Sequence, residues 1–241
     1  VWAEQLVAES TGKQGRGILP IADEPLVDRY GDDRVFLHVA VDDADNARRL
    51  AALKEAGHPV ITLRALGPAD LGRIFFLSEF AVAVAGWVLG INPFDQPNVQ
   101  EAKDNTNRVL REGFTELDPG DRDALTDGLA PPAYYAIMGY LPYSAQTEAK
   151  VARLRAQLLE RHQVATTWGY GPRFLHSTGQ FHKGGPKVGR FLQIVDEPER
   201  DLEIPGESFT FATLIRAQAD GDLQTLRDHG LPAARIDVKE L

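Results

Sequence analysis

Residues 34–41, RVFLHVAV, form an apolar run closed by paired aspartates on both sides, Asp32-Asp33 and Asp42-Asp43. A run without polar alternation predicts a strand covered on both faces, the situation in parallel sheets. Residues 42–56 then predict a helix capped by acidic residues, with Ala47, Leu50, Ala51 and Leu53 facing inward and Gly57 just past its end. Residues 59–63 (PVITL) read as the next strand. This strand, helix, strand order with tight connections requires a right-handed crossover and a parallel sheet.

Working outward, the apolar stretch 70–91 predicts a helix buried against that sheet, and a further helix runs from after Pro97 to about Arg111. Residues 112–132, with GFTELDPGDRD, read as an acidic surface excursion. A second alternating set follows: strand 134–141 (YYAIMGYL), amphipathic helix 144–162, strand 164–170, strand 191–195 (FLQIV), helices 209–219 and 222–229, and a terminal strand 235–238. Upstream, Trp2, Leu6 and Val7 mark one face of a helix that ends near Gly12, and 18–21 reads as a short buried strand closed by Pro25. The fold class is α/β: a three-layer αβα sandwich on a mostly parallel sheet of about five or six strands, with ligands expected at the carboxyl ends of the strands.

With 241 residues, the chain can bury a core without staples. The net charge of −9 argues against a general nucleic-acid or membrane-surface binder, which needs a basic face. No apolar run reaches the roughly 18 residues of a membrane span, because Glu79 interrupts the most apolar segment. There are no cysteines, so thiolate nucleophiles and thiolate metal sites are excluded, and the composition suits a reducing cytosol. The chain opens Val1-Trp2-Ala3 with a helix already under way, so a fragment of a longer polypeptide is expected, here as a single domain over 1–241.

Three polar, glycine-rich stretches stand apart from this scaffold: 5–17 (QLVAESTGKQGRG), 90–103 (GINPFDQPNVQEAK) and 173–186 (RFLHSTGQFHKGGP). Such stretches make a poor core and a plausible site, and a function requires all three to meet in one cleft. Glu9, at a helix end, is a candidate base if partly desolvated; the alternative is a solvated helix-end carboxylate. Gln5 lies one turn earlier on the same face. Lys103 taken alone reads equally as a surface lysine, and His176 as a structural histidine bonding a carbonyl. His176 and His182 lack the spacing of a helical zinc pair, and the glycines of GKQGRG precede a strand instead of following one. Neither a metal nor a nicotinamide cofactor is expected, and no cofactor is needed. Gly184 and Gly185 allow close backbone approach, so Lys183, with Arg173 and Lys187, is a candidate contact for an anionic ligand; the alternative is a solvated basic loop.

QLVAESTGK, GINPFDQPNVQEAK and LHSTGQ each resemble a signature of the phosphoglucose isomerases, and YGPRFLHSTGQ with HKGGP is similar to the isomerase portion of bacterial transaldolase/isomerase fusions. The resemblance implies a sugar-isomerase domain that interconverts glucose 6-phosphate and fructose 6-phosphate in the cytoplasm. It implies Glu9 as the base shuttling a proton between C2 and C1, Gln5 as a substrate contact, Lys103 as an assistant at the oxygens, and His176 as the ring-opening group. Its partners would be the sugar phosphate, upstream sugar-isomerase and transaldolase domains of the same polypeptide, and a second copy in a homodimer. The histidine motif here follows the lysine motif, whereas the family pattern places it earlier. The rival reading is a non-catalytic domain that binds a sugar phosphate.

Overall fold

The computed structural model describes residues 2–41, 46–95, 98–198 and 200–241, with the side chains of 98–103 outside that description. The chain is α/β with parallel sheets flanked by helices. The six strands among the described residues divide into two sheets instead of forming one.

The larger sheet holds β3 (Tyr134–Tyr140), β4 (Ala165–Tyr170), β5 (Gly189–Val195) and β6 (Ala233–Asp237), all parallel in the order β4-β3-β5-β6. β3 is central and buried at every position, and its alternation sorts the core into two halves. Tyr134, Ala136, Met138 and Tyr140 face one side, where Ala8, Phe181, Ala219 and Leu226 meet them. Tyr135 and Ile137 face the other, against Val151 and Leu158 of α5 (Ala145–His162). Helices α1 (Trp2–Thr11), α6 (Thr178–Gly184) and α7 (Phe211–Asp228) therefore cover one face and α5 the opposite one. Ser144 caps α5 by accepting from the Thr147 amide at 3.3 Å, and Thr210 caps α7 through the Thr213 amide in the same way.

Several expectations are corrected here. The two helices expected over 209–229 are one, because Gly221 is a packing glycine and not a breaker. A Cβ there would lie 3.2 Å from the Thr106 amide nitrogen of α4 (Asn98–Glu112), which packs along α7. Residues 18–21 form no strand: Pro20 lacks a donor, and the Ile18 amide bonds the Thr11 hydroxyl at 3.0 Å instead of a neighbouring strand. The acidic excursion is not merely surface, since Leu125 within its short 3-10 turn and Leu129 just after it enter the core.

The smaller sheet pairs β1 (Phe36–Ala40) with β2 (Val60–Arg64) in parallel, with α2 (Ala47–Glu55) between them. The acidic cap expected at 42–45 lies outside the described residues. β1 alternates in burial and leaves Leu37 and Val39 exposed, so it is not covered on both faces. α3 (Ala69–Leu89) forms as expected but is not buried: only Val82 and Gly86 are, while Phe76 and Trp87 are 70% and 82% exposed. α1 lies on one flank of α3, with Trp2 against Phe75 at 4.3 Å. Nothing among the described residues covers its other flank. By length and composition α3 is also apolar enough to cross a membrane, a property that counting uninterrupted apolar residues missed.

Candidate active site

The three polar stretches meet. α1 is set directly on α6 by Gly12, where a Cβ would come within 2.4 Å of the Phe181 Cα and 2.8 Å of the Ala8 carbonyl. The Gln180 side-chain amide donates to the Gly12 carbonyl at 2.8 Å, and the Gly15 amide donates to the Gly184 carbonyl at 2.9 Å. Both bonds tie the loop after α1 to the 173–186 stretch. The same loop reaches the 90–95 turn through Lys13, whose ammonium donates to the Asn92 carbonyl at 3.0 Å, to Asp95 Oδ1 at 3.0 Å and to the Asp95 carbonyl. Arg16 bonds the Leu89 carbonyl at the end of α3.

The junction lies beyond the carboxyl end of β4. Gly171 still donates to the Gly139 carbonyl of β3, and the chain then enters the 3-10 turn Arg173–His176. This is where an open parallel sheet places its ligands.

Glu9 is half-buried at the junction. Burial raises its pKa above the ordinary glutamate value; the bond from Gln5 and the charges of His176 and Lys13 oppose that rise without cancelling it. Gln5 Nε2 donates to Glu9 Oε2 at 3.3 Å, as the spacing of one helical turn implies. His176 is exposed on the last residue of its turn and close enough for its charge to act on Glu9. Glu9, Gln5 and His176 thus stand together. Lys103 lies in α4, which contacts both α6 and α7, with its side chain outside the described residues. The arrangement presents a carboxylate of raised basicity beside an imidazole, the groups required for proton transfer next to a carbonyl.

Lys183 stands elsewhere. The stretch read as a poor core is helical, and α6 buries Thr178, Gly179, Gln180, Phe181, His182 and Lys183. The Lys183 ammonium faces inward to Asp222 of α7 at 2.6 Å, both side chains being almost wholly excluded from solvent. The expected contact with an anionic ligand is therefore replaced by an internal ion pair. His182 is equally internal: Nδ1 lies 3.0 Å from the Tyr134 hydroxyl, and burial holds its pKa down to about 3. Lys13 was missed as a site residue, although a lysine between glycines at a helix end is the kind of cation that can fold back onto carbonyls. Among the described residues no group of three or more His, Asp or Glu could hold a metal ion.

No family profile matches the chain. Its sequence is similar to glucose-6-phosphate isomerases. That of Leptospira biflexa serovar Patoc is 31% identical, the match covering 45% of this chain and 33% of the relative. That of Symbiobacterium thermophilum is 32% identical, covering 47% and 34%, and that of Enterococcus faecalis is 27% identical, covering 48% and 35%. The chain thus spans about a third of the length of the curated relatives it matches. A hypothetical protein from Thermus thermophilus aligns over 98% of this chain and 68% of its own, at 12% identity and a TM-score of 0.40.

Proposed function

We propose that this chain is the catalytic part of a glucose-6-phosphate isomerase, a single sugar-isomerase-type domain that interconverts glucose 6-phosphate and fructose 6-phosphate without a cofactor. The observation that carries the reading is the meeting of Glu9, Gln5 and His176 where three distant polar stretches join, in a chain similar to those isomerases.

In this reading His176 assists opening of the sugar ring. Glu9 then takes the proton from C2 of the open chain; the C2–H electrons form the C1–C2 double bond of an enediol as the C1 carbonyl oxygen gains a proton. Glu9 returns its proton to C1 as the double-bond electrons form the C1–H bond, and the C2 hydroxyl releases a proton, offsetting the one gained at the C1 oxygen, to become the new carbonyl. Gln5 touches the substrate and Lys103 supplies positive charge for the enediolate. Lys183 is reassigned to the core.

The reading also assigns the bare flank of α3 and the exposed face of β1 and β2 to an upstream sugar-isomerase domain of the same polypeptide, in a cytoplasmic enzyme of the transaldolase-fusion kind that can form a homodimer. Apolar surface of that extent on one side is what a domain interface needs.

The test is exchange of the C2 hydrogen of glucose 6-phosphate with solvent by the full-length protein. Wild type exchanges, and Glu9→Gln lowers the rate about 10²- to 10⁴-fold, the range expected for loss of a general base, with unchanged circular dichroism. Near-normal turnover in Glu9→Gln, or binding without exchange in wild type, overturns the reading.

A further inference from the structure

The turn ahead of α4 is held by one buried cation. Lys13 is 1% exposed, and its three acceptors, the Asn92 and Asp95 carbonyls and Asp95 Oδ1, match the three donors of an ammonium group. An ammonium buried without partners is costly, so a lysine enclosed this way marks a turn shaped to receive it. The other end of the same short segment carries Glu9. The clamp therefore spans two pieces of the site: the helix end bearing the base, and the 92–95 turn that precedes in sequence the helix bearing Lys103.

We infer that Lys13 is a positioning residue: it fixes the 92–95 turn against the end of α1, while holding its positive charge within electrostatic reach of the Glu9 carboxylate. The inference rests on the isomerase reading and adds to it a residue that touches neither substrate nor reacting atoms.

Among the described residues, the charges that act on Glu9 include Lys13, from its own segment, and His176. The helices packed on α1 bring titratable groups that are engaged elsewhere: His182 with Tyr134 and Lys183 with Asp222 on α6, Asp70 with Arg73 on α3, besides the exposed Glu79. Removing the Lys13 ammonium takes away a charge that lowers the Glu9 pKa. The base then needs a higher pH to ionise.

The experiment measures kcat and kcat/KM against pH for the full-length enzyme and three variants. Lys13→Met lowers kcat about 10- to 100-fold, as misplacement of catalytic groups does, and moves the acidic limb of kcat/KM to higher pH. Asp95→Asn keeps the cation and its two carbonyl acceptors, so it lowers kcat only about 2- to 10-fold and leaves the limb in place. Glu9→Gln separates the two hypotheses. If it keeps turnover, the isomerase reading fails. If it is inactive while a folded Lys13→Met retains wild-type kcat and limb, the positioning role alone fails. Should Lys13→Met not fold, Asp95→Asn decides: a wild-type kcat overturns the clamp.

Discussion

Whether Lys183 serves the core or a ligand can be settled by breaking its pair with Asp222. Their charged atoms lie 2.6 Å apart, with side-chain exposures of 3% and 1%. At an effective dielectric of about 20, two unit charges at that distance attract by about 6 kcal/mol. Desolvating each ion costs several kcal/mol, so the intact pair adds little net stability while each lone partner is strongly penalised. The other neighbour of the carboxylate is the buried Tyr140 hydroxyl, a neutral donor that does not replace the ammonium's charge. Asp222→Asn and Lys183→Met, each alone, should therefore cost about 3–5 kcal/mol in urea unfolding, and the double variant Lys183→Met/Asp222→Leu should recover most of that loss. The Michaelis constant for glucose 6-phosphate should stay at its wild-type value wherever the variant is folded. A Lys183→Met protein of wild-type stability with a raised Michaelis constant would refute the argument and return Lys183 to the substrate.

Two further outcomes follow from packing and burial. His182 titrates near 3 when folded against about 6.5 unfolded, so between those values the unfolded chain binds more protons. Stability should be complete above about pH 6.5 and decline as the pH falls towards 3, by up to about 5 kcal/mol, and His182→Gln should flatten that slope in pH-dependent unfolding. Gly12→Ala drives a methyl into the Phe181 backbone, which cannot yield as a side chain would; α1 should lift from α6 at about 1–3 kcal/mol, with a matching drop in isomerase rate measured on the same samples. An unchanged stability and rate would mean that the two helices are not in contact.

The large sheet was legible because its strands carry their burial in their own residues: YYAIMGY is apolar enough to be central in any arrangement, and Ser144 sits where a cap belongs. What sequence could not give was whether an apolar surface finds a cover. α3 and β1 have the composition of buried elements, and composition does not reveal that one flank stays open. Gly221 shows a second limit. A glycine that allows two helices to touch is spelled the same as one that ends a helix, and only the neighbour, here α4, distinguishes them. The meeting of the polar stretches was anticipated, but not the means, because Lys13 and Gln180 make contacts to main-chain atoms that leave no pattern in the side chains they reach. Lys183 misled for the opposite reason: its partner lies 39 positions away, between two residues of an otherwise ordinary helix.

The division into two sheets makes the molecule uneven under thermal fluctuation. β3, enclosed on both faces and paired on both edges, can expose its amides only by global unfolding. β1 and β2 have one ladder between them and, among the described residues, no strand on their outer edges, so they open locally at little cost. A melting temperature measured on this chain accordingly reports the four-stranded body alone. Amide exchange along residues 36–40 and 60–64 serves as a gauge of whether the exposed flank has been sealed.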